Sequence, residues 1–387
     1  MSQAARYEAP DSAAPQDPGS PPRRRRTRLF AIPLGIALLL IVIPGATYGF
    51  ASSQLSQAQS SESAGAYSRA LNEYSTVEAV AGNPAGKVLL GDLIDRAVTG
   101  TAETHLLWGV QLRQQGKYAE SQAQLEAVVA SRSADWSAKG NSALADLFIA
   151  WGQSLVAKQQ FQAGIDKYKQ VSAVDPAGNL AASSNAALAT AYQGYARWYA
   201  QQQPPDYPNA LSWYETLLKD FPDSSQAKEA TTTAVPQTLY NAALDFIKQA
   251  KYQQARDAMS ELVQKYPATS WAGQANTALH QSQTLTGKLV VSDQNSAPVA
   301  NRLVRIATHW RIVKAHTYDD QGGQIYSTTT DAQGQFTVTM PPGQNYLITW
   351  WDPTRSTFVT TFVSDSVPVN LVTINPLEPA HTTVATS

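Results

Sequence analysis

One pattern recurs along this 387-residue chain. Trp108-Gly109 precedes "QQGKYAESQAQLEAVV", Trp151-Gly152 precedes "KQQFQAGIDKYKQVSAVDP", Gly194 precedes "PPDYPNALSWYETLLKDFP", and Ala243 precedes "KQAKYQQARDAMSELVQKYP". A weaker copy, "GAYSRALNEYSTVEAV", lies at 65–80. Self-similarity constrains a fold more than any single motif does, because each unit is one supersecondary element that cannot bury its own apolar face. From about residue 52 to 284 the apolar residues fall at helical spacing, Ala, Gln, Leu, Tyr and Ser dominate, and β-rich runs are nearly absent. The expectation is a stack of antiparallel helix pairs sharing one core, curved into a solenoid with a concave groove.

These residues resemble the tetratricopeptide repeat family. Trp151, Gly152, Phe161, Gly164, Tyr168 and Pro176 fall at that family's spacing, and Ala243, Tyr252, Ala255 and Pro267 repeat the frame with Met259 at the large apolar position. Taking Ala70, Ser121, Gly164, Ala210 and Ala255 as equivalent gives spacings of 51, 43, 46 and 45, longer than the family's 34, so helices or connections are extended. The insertion "QQQPPDYPN" cannot be continuous helix. The small residues let two backbones approach, and the aromatic side chains fill the space around the crossing. Prolines at Asp175-Pro176, Phe221-Pro222 and Tyr266-Pro267 close helices, and the segment from Ser270 caps the stack. The resemblance implies a ligand groove lined by Arg113 and Gln114, then Gln153, then Tyr195 and Tyr199, then Tyr240 and Lys248. Each of these also fits ordinary surface or inter-repeat packing. The paired Lys and Asn pattern with which some family members clamp a peptide carboxylate is missing, so a chaperone-tail receptor is not expected.

Before the repeats stands a stretch of a different kind. Leu29 to Phe50 are 22 uncharged residues, preceded directly by Arg23 to Arg26 and Arg28. At about 1.5 Å per residue such a run spans a hydrocarbon core of roughly 30 Å. Flanking arginines are retained inside, which places the tail 1–28 in the cytoplasm and everything after residue 50 outside. The tail is rich in Pro, Ala, Ser and Gln and reads as disordered. A cleaved signal peptide competes with the anchor, given Pro44-Gly45 and the small residues near Ala51. The length of the leading segment and of the apolar run favours the anchor.

After Leu285, Val, Thr, Ile and Tyr replace Ala and Gln, and about seven strand candidates alternate with "DQNSAP", "DDQGG", "DAQG" and "PPGQ". A small antiparallel sandwich is expected. The segment "TTTDAQGQFTVTMPPGQNYLITWW" resembles the carboxypeptidase regulatory-like, or prealbumin-like, sandwich domains of bacterial surface proteins, through Asp331, Gly334, Phe336, Pro342-Gly343 and Tyr346. Gly334 suits a positive φ in a hairpin, and Asp331 suits bonding to turn backbone. Adjacent Trp350 and Trp351 on a strand point to opposite faces. Trp351 is therefore a candidate contact for peptide or glycan.

The expected architecture is multidomain: a cytoplasmic tail (1–28), one N-terminal transmembrane helix (29–50), an all-α tetratricopeptide-like solenoid (51–284) and an all-β sandwich (285–387).

Chemistry is sparse. The chain has no cysteine, which excludes disulfides and thiolate sites, and its five histidines are scattered. There is no HExxH, GxSxG, GxGxxG or phosphate loop. Gly116-Lys117 lacks the GxxxxGK[ST] frame and reads as a corner between two helices. "SQAK" at Ser225 to Lys228 has no KTG companion, and Asp319-Asp320 with Gly322-Gly323 reads as a turn rather than a calcium loop. No catalytic residue, cofactor or metal is expected. After residue 50 there are 23 basic and 27 acidic residues, so nucleic acid is not an expected partner. These features predict an anchored extracytoplasmic scaffold or adaptor that binds a protein or peptide partner, with envelope glycan binding by the sandwich as the alternative.

Overall fold

The computed structural model describes residues 31–81, 84–176, 178, 180–292 and 296–386. The expected tail, with Leu29 and Phe30, lies outside them. The chain forms two compact units, one ending at Gly140 and one beginning at Asn141.

The first unit contains α1 (Ala31–Ser63), α2 (Tyr67–Ala81), α3 (Pro84–Gln114), α4 (Tyr118–Val129) and the start of α5 (Ala134–Ala157). The anticipated membrane span falls mostly on residues 31–44, of which only the helical backbone is described. Among the described residues no helix is long and apolar enough to cross a membrane. No break in the backbone marks residue 50, since α1 runs unbroken to Ser63. Ala51, Leu55 and Ala58 recur along one of its faces and join Ala70, Tyr74 and Val77 of α2 and Leu90, Leu93 and Ala97 of α3 in one core. The helix that begins at Ala31 thus also supplies one face of this core.

Glu73 ties α1 to α2. It is buried, accepting from the Ser61 hydroxyl at 2.7 Å and from Arg69 Nε at 2.9 Å. Burial acts to raise its pKa, but the bonds from Ser61 and Arg69 outweigh that, and the net value lies below the usual 4.5. A carboxylate depressed in this way contributes stability that is complete above its unfolded pKa and is lost as pH falls through the folded one. Acid titration followed by circular dichroism should thus show this unit loosening below about pH 4.5. Ser61→Ala should move that loss to higher pH, whereas an unmoved midpoint would remove Glu73 as its cause.

The second unit holds the rest of α5, then α6 (Phe161–Val174), α7 (Leu180–Ala200), α8 (Tyr207–Asp220), α9 (Ser225–Glu229), α10 (Val235–Lys248), α11 (Tyr252–Lys265) and α12 (Ser270–His280). In both units the second helix of each pair opens on an aromatic residue, and its fourth residue is small and buried: Tyr67 with Ala70, Tyr118 with Ser121, Phe161 with Gly164, Tyr207 with Ala210, Tyr252 with Ala255. That position is where the paired helix crosses. A Cβ on Gly109 would come within 2.6 Å of Leu125, and one on Gly152 within 2.6 Å of the Tyr168 ring. The Ser121 hydroxyl donates to the Gly109 carbonyl at 2.7 Å across the first of these crossings. Gly116 turns the corner between α3 and α4 with φ +74°. Between α9 and α10, Ala230–Ala234 widen into a π turn closed by Val235 N–H donating to the Ala230 carbonyl. Pro236 explains it: without an N–H and with a ring that crowds the preceding turn, it cannot extend an ordinary α ladder.

The β-domain has two facing sheets and two small hairpins. Its strands are β1 (Gln283–Val291), β2 (Leu303–Ala307), β3 (Arg311–Lys314), β4 (Thr317–Asp319), β5 (Ile325–Thr329), β6 (Gln335–Met340), β7 (Gly343–Asp352), β8 (Thr357–Val359), β9 (Phe362–Ser364), β10 (Val367–Pro368), β11 (Leu371–Ile374) and β12 (Ala380–Thr386). One sheet has the order β12-β1-β6 and the other β11-β7-β2-β5, with β8 beside β7. Leu285, Leu289, Phe336, Met340 and Val384 from the first sheet meet Val304, Ile306, Ile348, Trp350 and Ile374 from the second. The expected all-antiparallel pairing is corrected at one place, since β12 runs parallel to β1. Parallel neighbours need a long connection, and here almost the whole domain lies between them. Strands begin at Gln283, two residues before the expected boundary. Gly334 adopts φ +72°, and Asp331 Oδ1 accepts from the amides of Gln333 and Gln335 at 2.9 and 2.7 Å, the structural turn role anticipated for both.

The loop after β11 ties this domain to the helices. Leu377 packs against the helical core, and Arg256 of α11 donates to the Glu378 carboxylate at 3.0 Å and to the Pro376 carbonyl at 3.2 Å.

Candidate functional site

The best-developed surface of the helical part is aromatic. Tyr192, Tyr195 and Tyr199 recur on one face of α7 at three- and four-residue spacing, with Trp198 alongside. Tyr192 is wholly buried, 5.4 Å between ring centres from Trp213 of α8 and 5.7 Å from Phe221. Moving outward, Tyr195 lies between Phe161 at 5.2 Å and Trp213 at 4.8 Å, and stacks on Tyr199 at 4.8 Å. Trp198 meets Tyr199 edge-on at 4.9 Å. The outer rings of Tyr195, Trp198, Tyr199 and Trp213 are only partly buried.

The hydroxyl of Tyr199 donates to that of Tyr195 at 3.1 Å. Burial, and then this bond, push the Tyr195 pKa up to about 12. The phenol is therefore neutral at physiological pH. Beside the cluster, Arg197 and the Gln193 amide both reach the Glu229 carboxylate, at 3.1 and 2.5 Å. The face thus combines apolar rings with polar groups already engaged at its rim.

Within the second unit the candidate residues are not gathered in one place. Tyr195 and Tyr199 stand together. Tyr240 lies on α10 with its ring 5.5 Å from that of Trp271, partly buried. Gln153 is exposed on α5, and Lys248 is exposed at the end of α10. Arg113 and Gln114 close α3 in the first unit, Arg113 partly buried and Gln114 exposed. Trp350 is core and Trp351 exposed, the latter 5.3 Å edge-on from Phe358. Trp198 and Trp213 were missed from the sequence; their signal was aromatic density at helical spacing on two helices predicted to pair.

A second feature lies in the β-domain. Arg305 and Thr349 face each other across β2 and β7 on the side of the sheet away from the shared core. Such a face would normally be wet, yet Leu347 and Thr349 on it are buried. Tyr318 of β4 covers it, donating to the Phe358 carbonyl at 3.2 Å, and burial raises its pKa. Between these parts opens a cleft of about 620 Å³ whose lining includes Arg305, His316, Tyr318, Asp320, Arg355, Phe358 and Phe362. Of the expected turn, Asp319 Oδ1 accepts from the Gln321 amide at 3.2 Å, and that bond, then Arg311, lowers its pKa. Asp320 instead turns inward and is nine-tenths buried. The sequence signal missed here was an arginine amid the apolar residues of "LVRIA".

Among the described residues no group of three or more His, Asp or Glu side chains could hold a metal ion. No family model matches the sequence, and no curated protein matches it. Solved structures similar to this chain include a tetratricopeptide repeat protein from Bacteroides fragilis, at 17% identity over 58% of this chain and 95% of that one, with a TM-score of 0.32. Another is the C-terminal part of a tetratricopeptide repeat protein from Cytophaga hutchinsonii, at 15% identity over 57% and 98%, with a TM-score of 0.21. A third, YrrB, is described as a tetratricopeptide protein with an unusual peptide-binding site, at 15% identity over 58% and 90%, with a TM-score of 0.18.

Proposed function

We propose that this chain is a membrane-anchored, extracytoplasmic adaptor whose tetratricopeptide-like helix pairs hold a protein partner on the aromatic face of α7 and α8. The observation that supports the reading most is the half-burial of Tyr195, Trp198, Tyr199 and Trp213 as one contiguous set of rings. A purely structural cluster gains most by burying such rings fully, whereas Trp and Tyr left half-covered beside polar groups are the residue types that anchor protein interfaces. The bonded hydroxyl pair of Tyr195 and Tyr199 adds a donor and acceptors at the centre of that face. The anchor reading rests on the uncharged stretch 29–50 and the arginines before it. Glycan binding by the sandwich finds less support, because Trp351 presses edge-on against Phe358.

The test uses crosslinking in native membranes followed by mass spectrometry of the tagged full chain. Trp198→Ala combined with Tyr199→Ala should weaken the crosslinked partner by about 2 kcal/mol or more, while helicity and melting stay near wild type. A drop in melting with the partner retained would make these rings packing residues. The same samples test the anchor: the N-terminal peptides should stay attached, and a mature chain starting near Ala51 would establish a cleaved leader instead.

A further inference from the structure

We propose that the cleft on the outer face of the five-stranded sheet binds a carboxylate presented by an acidic peptide segment, with the Arg305 guanidinium as its principal ligand. Arg305 sits over the Phe358 ring, its Cζ 4.4 Å from the ring centre, and its side chain is three-quarters buried at 24% exposure. Among the described residues no oxygen accepts a hydrogen bond from this guanidinium. Asp320 Oδ2 stands 3.4 Å from Nη2, close enough for an ion pair but unbonded, and that buried oxygen has no hydrogen-bond partner. Five N–H donors held in a fixed plane and left unmet in a cleft are a strong acceptor-seeking group, and a planar carboxylate matches the fork bidentately.

The charge of the surroundings agrees. Arg355, 70% exposed, lines the same cleft, so its lining holds two guanidiniums and one carboxylate, Asp320, with Asp352 outside the lining and paired to Arg355 at 3.6 Å. His316 adds a third nitrogen group, paired at 3.5 Å with Asp365. Asp320, also in the lining, holds Arg305 as a positioning residue, and Phe358 supports the guanidinium from one side. The same geometry favours peptide over sugar. Sugars are gripped by open aromatic faces, but one face of Phe358 carries Arg305, its flank carries Trp351, and Phe362 carries the His316 ring at 5.4 Å. The site lies on the β-domain and is independent of the aromatic face of α7 and α8.

Fluorescence anisotropy on the full chain, with a labelled tri-glutamate peptide as probe, tests the assignment. Tri-glutamate should bind, weaken with added salt, and outcompete a tri-glutamine amide by about tenfold or more. Arg355→Gln, at an exposed position, should weaken it by about threefold. Arg305→Gln should weaken it by about tenfold or more. Because that change leaves Asp320 without its ion partner, Arg305→Lys serves as the second variant: it keeps the charge and removes the fork, and should lose most of the affinity with the near-ultraviolet spectrum unchanged. Trp198→Ala should leave this binding unaltered, which separates the site from the proposed partner face. The proposal is overturned if tri-glutamate fails to bind at millimolar concentration or tri-glutamine binds equally. It is also overturned if both Arg305→Lys and Arg355→Gln bind like wild type, or if a digalacturonate binds where the peptide does not.

Discussion

Replacing Tyr192 with alanine should cost the second unit about 3–5 kcal/mol, the range for deleting a large aromatic from a tight core. The ring is 2% exposed, touches Trp213 and Phe221, and supports the layer on which Tyr195 rests. Removing it leaves a cavity at the junction of two helices, which relaxes only partly because the surrounding rings are held by their own partners. Tyr192→Phe isolates the hydroxyl, whose bond to Asp220 is long at 3.4 Å, and should cost no more than about 1 kcal/mol. Urea unfolding followed by helical circular dichroism measures both. Equal effects of the two substitutions would mean that the hydroxyl, rather than the ring, carries the stability.

Gly152→Val should cost about 3 kcal/mol by overpacking, with no loss of buried surface to account for it. A Cβ here falls 2.6 Å from the Tyr168 ring, and Gly164 on the partner helix would place its own Cβ 3.0 Å from the Gly152 carbonyl. Tyr168 is 3% exposed and has no open side to move toward. Gly152→Ala paired with Tyr168→Leu should recover part of the loss, because the smaller side chain vacates the place the new methyl needs. A double variant no more stable than Gly152→Ala alone would show that backbone spacing, not the ring, sets the limit. This crossing explains why the repeats carry glycine or alanine at matching places: the distance between helices is set by the smallest residue at the contact.

Much of this was legible in one sequence. The equivalence of Ala70, Ser121, Gly164, Ala210 and Ala255 was readable from pattern alone, and all five are buried at the same place in successive helix pairs. The corner at Gly116 and the hairpin at Asp331 and Gly334 were readable because local backbone chemistry determines them. Less was legible at the candidate sites. Tyr195 and Tyr199 were identifiable, but Trp198 and Trp213 acquire meaning only when two helices bring them beside those rings. Arg305 and Asp320 are 15 positions apart with two short strands between them, and no spacing rule links them.

The sequence by itself determined which part of the chain is helical and which is β-rich, and which small residues mark the crossings, because periodicity, glycine and proline act over a few residues; β3, β4, β10 and β12 fell outside its seven strand candidates. Only the tertiary structure decided that α1 continues into the first helix pair, that β12 returns parallel to β1, and that the outer face of a sheet is roofed over a charged cleft. Those outcomes depend on which surfaces meet across tens of residues, where the free energy comes from excluding water between distant segments.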